Sequence, residues 1–155
     1  MLVRVLVAGL VLALGLSGRA NAEEVHWGLF TVTLPVIAII HDDLFVGRAV
    51  GHIDRTGTID LRSAQDPKDK CVGSFRFTGS KTGLADMRCD DGVEARLSFN
   101  ALGIFSGYGY GDTHRGPASF TFGLSPDEAA SHLTMPRGKK LVERTEGLRL
   151  ESIRP

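Results

Sequence analysis

Residues 71 to 99, CVGSFRFTGSKTGLADMRCDDGVEARLSF, read as three consecutive antiparallel strands with the chain's two cysteines facing each other. A turn centred on Ser80, within TGSKTG, sets Cys71 opposite Cys89, Gly73 opposite Met87 and Phe75 opposite Ala85. A second turn, Asp90-Asp91-Gly92, carries the Asp-Gly pair of a hairpin that needs positive φ. Centred on Asp91, it sets Met87 opposite Ala95 and Ala85 opposite Leu97. Both turns give one parity. Phe75, Phe77, Ala85, Met87, Val93, Ala95, Leu97 and Phe99 fall on one face, while Arg88 meets Glu94 and Asp86 meets Arg96 on the other. A slip of one residue would turn the whole apolar set to water, so the pattern itself specifies the register.

Working outward to the N-terminus, Arg4, the apolar run Val5 to Leu16 and the small-x-small site Ala20-Asn21-Ala22 have the layout of a secretory leader over residues 1 to 22. The run is shorter than the ~20 apolar residues of a bilayer span, so export to the periplasm or beyond the cell is expected, with no transmembrane span after the leader is removed. A single β-rich domain is then expected over residues 23 to 155. In an oxidising compartment the paired Cys71 and Cys89 read as a disulfide rather than a metal or redox site. The 18 basic and 18 acidic residues balance, and loss of Arg4 and Arg19 with the leader leaves a small acidic excess. That gives no electrostatic reason for nucleic acid as a partner.

The rest of the chain follows in short segments. Phe30, Val32 and Leu34 alternate as an edge strand up to Pro35, and Val36 to Ile40 is an apolar run whose type and docking partner the pattern leaves open. Leu44 to Ile53 alternates with Phe45, Gly47, Ala49, Gly51 and Ile53 on one side, and glycines at such positions mark a curved wall or a close neighbour. Asp54 to Gly57 reads as a turn, with Ile59 and Leu61 facing inwards in the strand that follows. Ser63 to Lys70 is a polar loop broken at Asp66-Pro67, and Ala118 to Gly123 is a strand with Phe120 and Phe122 on one face. Ser125-Pro126-Asp127-Glu128 combines an N-cap, Pro at the first helical position and an acid three residues after the cap, which starts a short helix. A last hairpin around Glu146-Gly147 puts Leu148 and Leu150 on one face. The fold class is therefore mainly all-β, with six to eight strands in an antiparallel meander, one short helix near the C-terminus and one disulfide. The glycine-rich strands favour a small barrel, and a sandwich stays open.

The candidate site is the Gly/Tyr-rich segment Ser106 to Pro117, read as a loop that presents Tyr108, Tyr110, Asp112, His114 and Arg115. Flat rings between glycines suit an envelope polymer or a protein partner, and the same glycines also suit a strand that passes close to its neighbour. GYGYG lacks the order of a nucleotide-binding loop, and no GxxxxGK[ST] occurs. The histidines at 26, 41, 52, 114 and 132 lack paired ligand spacing, so neither metal nor cofactor is expected. Ser106, Asp112 and His114 can be drawn as a hydrolytic set, but no GxSxG elbow supports them.

The order CVGSF, LADMRCDDG, SGYGYG, RGPASFTFG, SPDEAA resembles a group of small exported bacterial β-rich proteins of unassigned function, with residues 23 to 43 outside the matching stretch. The resemblance implies a compact β module with a disulfide and carries no catalytic or binding residues across. The expected function is a non-enzymatic envelope or secreted module that binds or supports a partner. The alternative is a small periplasmic hydrolase or metal-dependent enzyme using the Gly/Tyr-rich segment.

Overall fold

The computed structural model describes residues 26–27 and 30–154. The leader read at residues 1 to 22 lies outside the described residues. A two-residue strand β1 (His26–Trp27) is followed by β2 (Thr31–Ile40), β3 (Asp43–His52), β4 (Thr56–Ser63) and β5 (Lys70–Phe77). Then come β6 (Thr82–Cys89), β7 (Glu94–Ala101), β8 (Gly107–Thr113) and β9 (Gly116–Phe122). Each strand from β2 to β9 pairs antiparallel with the next, and β2 pairs back onto β9 from Val36↔Phe122 to Ile40↔Ala118, closing an eight-stranded up-and-down barrel. Helix α1 (Pro126–Ala130) and a separate hairpin, β10 (Lys139–Arg144) with β11 (Gly147–Ser152), complete the chain.

The ribbon from 71 to 99 takes the expected register. Cys71 pairs with Cys89, Phe75 with Ala85, Met87 with Ala95 and Ala85 with Leu97, and Gly92 turns the second hairpin at φ 84°. Cys71 and Cys89 form a disulfide inside the barrel. On the outer face Arg88 and Glu94 close to 2.6 Å and Arg96 and Asp86 to 2.7 Å. Apolar residues inside and ion pairs outside are the reverse of the polarity a lipid-embedded barrel needs.

The unassigned run Val36 to Ile40 is the second half of β2, and both of its faces are covered. Val36, Ala38 and Ile40 point into the barrel with Phe45, Leu61 and Leu97, while Ile37 and Ile39 lie outside under Ala129, Leu133, Leu141 and Leu150 of the C-terminal segments. A strand buried on both sides loses its alternation, which is why the sequence alone left its type open. The expected break at Pro35 does not occur, and β2 runs through it. The Pro35 carbonyl accepts from Gly123 N at 2.9 Å, just past the end of β9. Because N and O of a strand residue point to the same side, the missing N–H faces the stretch where β9 has already ended.

Two smaller expectations are corrected. Ile53, expected to continue the strand on the side of Phe45 and Ala49, stands 77% exposed in the β3–β4 turn. That turn ends earlier than Gly57, with Arg55 at φ 67° and β4 already begun at Thr56. The helix start is as read: Ser125 Oγ accepts from Glu128 N and the Glu128 carboxylate accepts from Ser125 N, a reciprocal cap.

Candidate functional site

Five phenylalanines divide the barrel into two halves. Toward the β2–β3, β4–β5, β6–β7 and β8–β9 connections the interior is filled by Ala38, Ile40, Phe45, Leu61, the cystine, Met87, Val93, Leu97 and Ala118. Toward the other end, a cavity of about 560 Å³ opens among Leu34, Ala49, Ile59, Phe75, Phe77, Phe99, Phe120 and Phe122.

The hollow arises from which residues face one another. Gly57 pairs with Phe75, Gly83 with Phe99, Gly107 with Phe122 and Gly109 with Phe120. At each of these glycines a Cβ would run into the partner's ring. The rings therefore lie against bare backbone on the wall instead of filling the centre. They also brace each other edge to face, with centroids 5.0 Å apart for Phe77–Phe99, 5.8 Å for Phe99–Phe122 and 6.1 Å for Phe75–Phe99.

The mouth is formed by the β3–β4, β5–β6 and β7–β8 connections, with His52, Arg55, Thr56, Ser80, Lys81, Leu102, Ile104 and Phe105 around it. Part of its rim is apolar and open to solvent: Leu102 is 50% and Ile104 85% exposed, and Ile53 sits in the β3–β4 turn at the same end. Arg55 links the β3–β4 and β5–β6 connections at the mouth. Its Nη2 donates to the carbonyls of Gly79 and Ser80, and its guanidinium lies 4.9 Å over the Phe77 ring. In the same turn the Asp54 carboxylate accepts from Thr56 Oγ1 at 2.7 Å and Thr56 N at 3.0 Å, which holds its pKa below the ordinary aspartate value.

The Gly/Tyr-rich segment is not a loop. It forms β8 and its turn into β9, with Gly107 and Gly109 buried toward the barrel and Tyr108 and Tyr110 on the outer wall. Tyr108 stacks on His132 at 4.6 Å and on Tyr110 at 6.5 Å, and Tyr110 is 57% exposed. Asp112 is exposed on the same wall, and His114 and Arg115 lie in the β8–β9 turn, at the end of the barrel away from the cavity. Arg115 is held there by Asp91, at 2.6 Å from Nη1 to the carboxylate. Ser106 lies before the first residue of β8 and His114 after its last, roughly 25 Å apart at ~3.3 Å per residue, so the hydrolytic set is not assembled. No group of three or more metal-ligating side chains gathers among the described residues.

Reading the sequence placed the site on the outside of β8 and missed the interior. The signal was present in the phenylalanines of FRF, SF and FTF, which fall opposite glycines once the strands are paired. Comparison of the chain with family models, curated proteins and solved structures gives no match.

Proposed function

We propose that this protein is a binding module that holds a small apolar molecule inside its barrel, at the end opposite the cystine. The cavity carries this reading. Protein interiors leave few voids larger than a water molecule, whereas small-molecule sites occupy roughly 300–1,000 Å³ and are mainly apolar with a few polar groups. Eight strands close to a diameter that either fills with side chains or holds one small ligand. This barrel does the first in its cystine half and the second in its phenylalanine half. The leader layout of residues 1 to 22 and the disulfide support action in the periplasm or outside the cell.

The test is a titration of the purified protein with N-phenylnaphthylamine, a neutral apolar fluorophore that brightens out of water. Saturable binding at one site per chain, lost when the mouth is blocked, is expected; absence of saturable binding would remove the reading.

The exposed stack Tyr110–Tyr108–His132 favours a second reading, an outer platform for an envelope polymer. Co-sedimentation with cell-wall sacculi, lowered by Tyr110→Ala at unchanged melting temperature, is its expected outcome, and no sedimentation of the wild type would dismiss it.

A further inference from the structure

We infer that the molecule held in the barrel is a long-chain carboxylate, its hydrocarbon among the phenylalanines and its carboxylate at Arg55 and Lys81 in the mouth. This rests on the barrel being a small-molecule site, and it follows from how charge is distributed around the cavity. The lining holds three residues able to carry a positive charge, His52, Arg55 and Lys81, and no aspartate or glutamate. All three lie at the mouth, while the deep wall from Leu34 to Phe120 is hydrocarbon. A ligand matching that gradient is apolar along its length and anionic at one end.

The nearby acid Asp54 keeps its charge and acts on His52, but its hydrogen bonds go to Thr56 within its own turn and it forms no ion pair with Arg55 or Lys81 among the described residues. Lys81 forms no ion pair among the described residues, and Arg55 spends only Nη2 on Gly79 and Ser80, leaving Nε and Nη1 without a hydrogen bond there. Arg55 is also fixed in place. Its backbone sits at φ 67°, a region that few residues other than glycine and asparagine favour, pinned by Arg55 N to His52 O at 3.1 Å and Phe77 N to Arg55 O at 2.9 Å. An arginine kept in that conformation, with its guanidinium over the Phe77 ring at the mouth, is placed to receive a carboxylate by charge-assisted hydrogen bonds.

Displacement of N-phenylnaphthylamine by dodecanoate and by dodecanol tests this. The two differ in the head and share the chain. Dodecanoate is expected to displace the fluorophore at about one tenth the concentration of dodecanol, the ratio given by one charge-assisted hydrogen bond. In the Arg55→Gln, Lys81→Gln double variant that ratio should fall to about one. Should the double variant not fold, Lys81→Gln alone, which removes no bond from the described structure, must still reduce the ratio. Equal displacement by the two compounds, or a preference that survives the substitutions, overturns the carboxylate assignment and leaves the cavity reading standing. Failure of the fluorophore to bind removes the cavity reading, and this inference with it.

Discussion

Filling the cavity from its wall should make the protein more stable and less able to bind. Gly51 lines the cavity on β3, and a Cβ there would meet Val32 Cγ1 at 3.4 Å and Phe75 Cζ at 3.6 Å, ordinary contact distances. The remaining atoms of a leucine would extend into open space. Burying that side chain contributes about 1.5–3 kcal/mol, and losing glycine's freedom in the unfolded chain adds about 0.4–1 kcal/mol. Ordering the side chain opposes this by about 0.5–1 kcal/mol, so Gly51→Leu should stabilise by about 1–3 kcal/mol. That corresponds to a melting temperature raised by roughly 4–10 °C, read by circular dichroism. Affinity for N-phenylnaphthylamine should fall by at least about ten-fold, equivalent to about 1.4 kcal/mol of displaced contact. Gly83→Ala is the contrast. Its Cβ would run into the Phe99 ring and lie 2.5 Å from the Arg76 carbonyl, so it should destabilise by about 1–3 kcal/mol. A lower melting temperature for Gly51→Leu would show that Gly51 does not border open space. A higher one with unchanged binding would show that the fluorophore sits elsewhere.

Replacing both Cys71 and Cys89 by serine removes a link across 18 residues of chain and should lower the unfolding free energy by about 3 kcal/mol in denaturant melts, and an unchanged midpoint would refute the contribution. The Glu128 carboxyl, held below its ordinary value of 4.5 by the Ser125 backbone and hydroxyl, binds its proton less readily folded than unfolded. Its capping contribution is therefore complete above the unfolded value and is lost as pH falls through the folded one. An NMR titration of Glu128 should give a midpoint below 4.5 that moves up in Ser125→Ala, and a midpoint that stays put would assign the shift to the Ser125 backbone N–H alone and refute the hydroxyl's share.

The fold was legible where two signals agreed. In residues 71 to 99 each turn residue and each apolar position supports the same parity, and the outer charges Arg88 with Glu94 and Asp86 with Arg96 confirm it. Legibility failed where a feature depends on strands distant in sequence. Val36 to Ile40 is covered by β9 inside the sheet and by the C-terminal hairpin outside it, and neither neighbour is local. In β8 and the turn after it, four glycines close together in GYGYGDTHRG suggested a loop, although Gly107 and Gly109 alternate inward and Tyr108 and Tyr110 outward as any strand does. The cavity was hidden for a related reason. A glycine facing a phenylalanine is visible only after the register is known, and the void follows from the absence of side chains at positions that read simply as curvature.

The seam between β2 and β9 bears on how the chain reaches this state. Every other barrel pairing joins neighbours in sequence, so the meander can assemble hairpin by hairpin, each closing a short loop. The seam brings together Ile37 and Thr121, 84 residues apart, and it is only five residue pairs long. We expect closure to be the slow step of folding, since the loop entropy must be met before those pairs form. Until then Ile37 and Ile39 on one side and Ala38 and Ile40 on the other lack their covers, and β2 and β9 both present free edges. That open sheet, rather than the finished barrel, is the species most prone to aggregate, and mutations along residues 36–40 should reduce folding yield more than they reduce the stability of what has folded.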